Sequence, residues 1–158
     1  MQGYLNMPKE TAATIDNEGY LHTGDVAIID KNGMFSIVDR VKELIKYKGF
    51  QVAPAELESL LLQSDLVADC AVIGVYDDSQ ATELPRAYIK VSPGIPENDQ
   101  TAQALIQFVD QQVAKHKKLR GGVHFIDIIP KSAAGKILRK DLRVMAASET
   151  KKPLHAKL

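Results

Sequence analysis

The sequence predicts an α+β fold: a small domain with a central β-sheet flanked by helices, over about residues 40–147, preceded by β-hairpins in residues 1–39. Two observations predict it. Short apolar runs such as CAVIGV (70–75) have the length of buried strands, and between them apolar residues recur at helical spacing. Turn-forming clusters separate the two kinds of segment, and strands and helices alternate along the second part.

Taken in order, the opening stretch reads as short strands and turns. Asp16-Asn17-Glu18-Gly19 is turn-forming, and the runs VAIID from Val26 and MFSIVD from Met34 flank Lys31-Asn32-Gly33. Asn-Gly supplies the positive φ angles of a tight hairpin. So short a piece buries little by itself and is expected to lean on something larger. After Arg40 the pattern changes. Pro54 opens a helix where its missing N–H costs nothing, Glu56 and Glu58 suit the positive end of the dipole, and Leu57, Leu60 and Leu61 form its apolar stripe. CAVIGV is a buried strand; Ala87, Ile89 and Val91 alternate with Arg86, Tyr88 and Lys90 in a second, with DDSQAT the loop between them. The loop SPGIPEND leads to a helix marked by Leu105, Phe108, Val109 and Val113. VHFIDI (123–128) is a third strand, and Leu138, Leu142 and Met145 mark a last short helix. Residues 148–158 read as a flexible tail.

Composition bounds the chemistry. The 158 residues carry 20 Lys and Arg against 20 Asp and Glu, so no net field draws the chain to nucleic acid or to an anionic membrane. Phosphate recognition must therefore be local. The one cysteine, Cys70, excludes an internal disulfide and sits in an apolar run, where it reads as a core thiol. No run approaches membrane-span length and the opening residues lack the apolar stretch of a signal peptide, so an intracellular, reducing compartment is expected.

Two clusters combine cations with glycine. In DRVKELIKYKGFQV (39–52), Arg40, Lys42, Lys46 and Lys48 surround Gly49, offering charge and bare backbone to a phosphorylated ligand. In PKSAAGKILRKDLR (130–143), small residues deliver Lys136 at the mouth of a helix that carries Arg139, Lys140 and Arg143. A lysine on such a loop can reach an anionic centre as a point charge. The spacing is not that of a phosphate loop, and composition alone favours lysines that face water in both clusters. His22 could serve as a general base, though a histidine in a short strand is more often packed or solvated. Asp25, after the Thr23-Gly24 turn, could accept the two hydroxyls of a ribose.

Taken together, four segments resemble the adenylate-forming, AMP-binding enzymes: acyl-CoA synthetases, 4-coumarate–CoA ligases and beetle luciferases. They are GYLNMPKETAATIDNEGYLHTGD, VDRVKELIKYKGFQVAPAELE, TELPRAYIKV and KKLRGGVHFIDIIPKSAAGKILRKDLR, in that order from Gly3 to Arg143. KYKGFQVAPAELE with TELPRAY is most similar to the 4-coumarate–CoA ligase and luciferase branch.

The resemblance implies an ATP-dependent acid–CoA ligase that forms an acyl-adenylate and then a CoA thioester. It implies that Asp25 binds the ribose hydroxyls, Arg40 contacts the nucleotide and Asp39 is the hinge of a mobile C-terminal domain. Lys42, Lys46 and Gln51 would meet the adenylate in the thioester-forming orientation, and Lys48 and Gly49 would line the coenzyme A entry. Lys136 would bridge the carboxylate and the α-phosphate in the first orientation, which makes Lys136 and Lys46 the catalytic pair. The implied small molecules are a carboxylic acid, ATP with Mg2+, and coenzyme A, the Mg2+ having no assignable ligand in this sequence. Residues 1–39 resemble only the tail of the family's large N-terminal domain, which is the implied partner of residues 40–147; a chain of this extent is expected to be inert alone. A luciferase-like adenylating oxygenase and a non-catalytic C-terminal module remain as alternatives. The final Ala156-Lys157-Leu158 resembles a peroxisomal address, which implies an import receptor and a peroxisomal location, with the cytoplasm otherwise.

Overall fold

The computed structural model describes residues 1–150, and these fall into two compact units, Met1–Lys42 and the part from Glu43 onward. The first unit contains helix α1 (Pro8–Thr14) and an antiparallel hairpin of β1 (Asp25–Ile29) with β2 (Phe35–Arg40). The helix corrects the expectation of strands and turns alone. Pro8 stands in its first turn, where proline is pre-set for a helix, and Glu10 favours the positive end of the dipole. The hairpin also departs from a two-residue Asn-Gly turn. Gly33 has φ +81 but Asn32 does not enter the left-handed region, and the turn is built on Asp30. Its Oδ1 accepts from the N–H groups of Asn32 and Met34, which pulls the Asp30 carboxyl below its usual range. Apolar side chains of this unit, Leu5, Phe35 and Ile37 among them, stay exposed, and the buried apolar residues all lie from Ile45 onward among the described residues.

The boundary falls a few residues later than the expected 39/40. Arg40 is still a strand residue opposite Asp25, and the Val41 N–H donates to the Gly24 carbonyl, so the chain leaves the hairpin only at Lys42.

The second unit opens with a short hairpin, β3 (Ile45–Tyr47) and β4 (Phe50–Val52), followed by α2 (Pro54–Leu61). Strands β5 (Val67–Asp77) and β6 (Thr82–Val91) pair antiparallel, and β7 (Val123–Phe125) joins β6 in parallel, giving the order β5-β6-β7. Helix α3 (Asp99–Asp110) lies between β6 and β7 in sequence, and α4 (Arg139–Thr150) ends the described chain. Asn98 caps α3 by accepting from the Thr101 N–H at 2.9 Å.

Both faces of this sheet are covered. Cys70, Val72, Ala87 and Ile89 point to one side, where Leu57 and Leu61 of α2 and Leu105 and Val109 of α3 complete a core. Ala71, Ile73 and Tyr88 point to the other, against Leu142 and Ala146 of α4 and Ile129. Covering on both sides explains why CAVIGV is a continuous apolar run, since Cys70–Ile73 are buried on both faces of β5. It also explains why Tyr88, expected on a solvent face beside Arg86 and Lys90, is buried. Each fully buried Leu contributes roughly 1.5–3 kcal/mol through its burial. Three expected elements are trimmed. The strand at VHFIDI stops at Phe125, Val113 packs on the core from just beyond α3, and the buried stripe of α4 is Leu142 and Ala146, with Leu138 before the helix and Met145 on its open side.

Candidate active site

The β3–β4 hairpin places Lys46, Lys48, Gly49 and Gln51 on one small support. Ile45, Tyr47 and Val52 point inward and are buried, so by strand alternation Lys46 and Gln51, which face one another across the pair, point outward. Lys48 and Gly49 have φ +46 and +83, the two left-handed residues of a type I′ turn. The Lys48 ammonium lies 5.6 Å from the centre of the Tyr47 ring, with the Arg120 guanidinium 4.9 Å from the same ring. Phe50, more than half exposed, stacks on His116 at 4.4 Å. Lys46 and Gln51 make no side-chain hydrogen bond or ion pair among the described residues, so both are available to a ligand.

Lys136 is carried separately. Its loop starts from a backbone bridge between Lys131 and Ile137, and the Lys136 carbonyl accepts from the Ser132 N–H at 2.8 Å. The Gly135 N–H donates to the Ser132 carbonyl, and Gly135 takes φ +77 to close the turn. Lys131 anchors the stem through Asp69 at 2.6 Å. The loop is thus a fastened turn, and Lys136 projects from it exposed and, among the described residues, unpaired.

The helix behind it does not add to that charge as expected. Arg139 is absorbed by Glu58 at 2.7 Å and lies 3.5 Å from Glu43, and Arg143 also approaches Glu43. Glu58 accepts from the Val72 N–H as well, so its role is to join α2, β5 and α4, not merely to face the helix dipole. Of this cluster, the exposed cations left for a ligand are Lys136 and Lys140.

In the first unit, Asp25 and Arg40 meet across the hairpin as an ion pair at 3.1 Å. Asp25 keeps its second carboxylate oxygen uncommitted among the described residues. Asp39 accepts from the Arg40 N–H at 2.7 Å and lies in β2 opposite Val26, where the pairing register shifts. Lys42 is exposed at the end of this unit, so the four cations expected around Gly49 divide, Arg40 and Lys42 in the first unit and Lys46 and Lys48 in the second. His22 is tied to Asp16 at 3.0 Å, a clasp that also depresses the Asp16 carboxyl. Burial pushes the Cys70 thiol up to about 12, which leaves it protonated and unreactive. No cluster of His, Cys, Asp and Glu suited to a metal occurs among the described residues.

The profile of the AMP-binding enzyme C-terminal domain matches residues 56–136. The chain belongs to that family. Relatives to this C-terminal domain include 4-coumarate–CoA ligase 1 of Glycine max, 51% identical over 96% of the chain and 50% of the relative. A 4-coumarate–CoA ligase of Pinus taeda is 53% identical over 94% of the chain and 26% of its own length. The chain therefore spans half of the first of these relatives and about a quarter of the other. Among solved structures, ATP-bound MatB from Rhodopseudomonas palustris superposes with a TM-score of 0.83 at 30% identity, over 95% of this chain and 29% of that one. The α+β architecture is that of the C-terminal domains of adenylate-forming enzymes. Thr82 and Glu83 emerge as residues that hold the main chain of Lys46 and Lys48, and Arg139 as one that fastens α4 to α2. The first two lie in TELPRAY, where nothing in the local pattern marks them as partners of a hairpin some 35 residues earlier.

Proposed function

We propose that this chain supplies the C-terminal part of a carboxylic acid–CoA ligase. A carboxylate oxygen attacks the α-phosphorus of ATP, an O–P bond forms, and the bond to pyrophosphate breaks. The coenzyme A thiolate then attacks the acyl carbonyl and AMP leaves, giving the thioester. The observation that carries this reading is that Lys46 and Lys136 are exposed, uncommitted ammonium groups on two separately fastened supports, while Arg139, Lys117, Lys118 and Lys131 are engaged by carboxylates. Two such groups suit two half-reactions that each need a cation over the same adenylate at different times.

Lys136 between the carboxylate and the α-phosphate lessens their repulsion as the phosphorus becomes five-coordinate. Its withdrawal frees the approach of the thiol, and the β3–β4 face with Lys46 and Gln51 replaces it, Lys42 also meeting the adenylate at that stage. Lys48 and Gly49 line the path of coenzyme A. Asp25 holds the ribose, with Arg40 fixing its carboxylate and contacting the nucleotide, and Asp39 is the hinge. The exposed apolar side chains of the first unit support its packing on a larger N-terminal region like that of the longer relatives, and Mg2+ would be held with the triphosphate there. The relatives' names make 4-coumarate the first acid to test. The deciding experiment separates acid-dependent ATP–pyrophosphate exchange from thioester formation in a full-length ligase carrying this segment, with Lys136→Ala and Lys46→Ala compared.

The chain's last three residues, Ala156-Lys157-Leu158, lie outside the described residues, and we propose them as a peroxisomal address read by an import receptor. A fluorescent reporter ending in the last eight residues should enter peroxisomes, and one ending in Ala-Lys-Ala should stay out.

A further inference from the structure

Strand β3 has β4 on one side only, so the other edge of its backbone needs partners. Two side chains supply them. Glu83 Oε2 accepts from the Lys46 N–H at 2.7 Å, and the Thr82 hydroxyl accepts from the Lys48 N–H at 2.8 Å while donating to the Lys46 carbonyl at 3.0 Å. Thr82 is buried, and Ala81 before it takes φ +51 to turn the chain into place. Room for the Glu83 carboxylate comes from Gly74 across the β5–β6 ladder. A Cβ there would lie 2.9 Å from Glu83 Oε2 and 3.0 Å from the Ile45 side chain.

We propose that Thr82 and Glu83 are positioning residues that fix the main chain of Lys46 and Lys48 and so aim both lysines for the thioester-forming step. The proposal rests on the role given to Lys46 above. The three bonds act on the two residues that flank the inward-facing Tyr47, so they set where the Lys46 side chain leaves the strand and where the type I′ turn stands. A support placed this way governs one half-reaction, because Lys136 hangs from a different stem.

The first test is amide hydrogen exchange in this chain. Thr82→Val should expose the Lys48 amide and Glu83→Ala the Lys46 amide, whereas Thr82→Ser and Glu83→Gln, which keep an accepting oxygen, should keep both protected. Gly74→Ala should release the Lys46 amide and leave the Lys48 amide protected. In a full-length ligase carrying this segment, Thr82→Val and Glu83→Ala should slow thioester formation from supplied acyl-adenylate by about ten- to a hundredfold and leave ATP–pyrophosphate exchange nearly unchanged. The conservative pair should restore most of the loss. Unchanged exchange of both amides in Thr82→Val and Glu83→Ala, or an equal loss in both half-reactions, would overturn the proposal. If Lys46→Ala spares thioester formation, it is the role of Lys46 that fails, and the exchange result alone then decides whether the two side chains hold the strand.

Discussion

Arg139 Nη2 touches both carboxylate oxygens of Glu58, at 2.7 and 2.8 Å, in a site where each side chain is nearly nine-tenths buried. Glu58 also receives the Val72 N–H, so one carboxylate ties together α2, β5 and the first residue of α4. Removing one partner leaves the other charged and buried, which is the costly way to break such a pair. Glu58→Ala and Arg139→Ala should each lower stability by about 3 kcal/mol. Glu58→Gln should cost less, because its amide oxygen can still accept from Val72 and Arg139. Urea unfolding of this chain measures all three, and losses within experimental error for the alanine variants would sink the assignment.

The two lysines proposed as catalytic should separate cleanly. Lys136→Ala should slow adenylation by roughly a hundred- to a thousandfold and largely spare thioester formation from supplied acyl-adenylate. Lys46→Ala should do the opposite. Both side chains are exposed and neither makes a hydrogen bond or ion pair among the described residues, so neither change should shift the unfolding midpoint. Equal damage to one half-reaction by both substitutions would end the two-orientation reading. Asp39→Pro should hold one orientation and so preserve only one half-reaction.

The turn of the β3–β4 hairpin sets backbone strain against charge. Lys48 adopts φ +46, a conformation that costs an L-residue with a long side chain about 1 kcal/mol and that asparagine tolerates better. Lys48→Asn should therefore keep or raise stability, while raising the KM for coenzyme A if the ammonium lines its entry. Gly49→Ala, at φ +83, should instead destabilise the hairpin. A Lys48→Asn variant with lower stability and unchanged KM would contradict both halves of that argument.

How much of this was legible beforehand depends on the range of the interaction. Pro54, the turn at Gly33 and the alternation of β6 are local signals, and the elements they announce are present. Gly49 is readable as a turn glycine, but the left-handed Lys48 beside it escaped because lysine is rarely asked to take a positive φ. Helix α1 escaped because PKETAAT is short and carries no apolar stripe, and none of its residues is buried. The individual lysines could be named from motif order, yet their supports could not. Asp69 to Lys131, Glu58 to Arg139 and Glu83 to Lys46 join residues 37 to 81 positions apart, which no local pattern records. Arg139 shows the consequence. Beside Lys136 in sequence it reads as one more phosphate-seeking cation, and in the fold it is an internal fastener.

One such long-range site makes stability depend on pH. His124 of β7 has its Nδ1 3.4 Å from Glu149 of α4, with Arg86 of β6 bonded to the same carboxylate and the Tyr88 ring tilted against its own at 5.7 Å. Burial, and then the Arg86 charge, push the imidazole below its ordinary 6.5, and the attraction of Glu149 only partly offsets them. The folded state therefore binds this proton less readily than the unfolded chain. Its contribution is fully present above the unfolded value and is lost as pH falls through it toward the lowered folded value. Wild type should lose more stability than His124→Phe, which keeps a ring against Tyr88, when urea midpoints are compared from neutral pH down to about pH 5. Parallel curves for the two proteins would show that His124 does not carry the dependence. Glu149→Gln should deepen the loss in wild type, because it removes the one neighbour that favours the protonated ring.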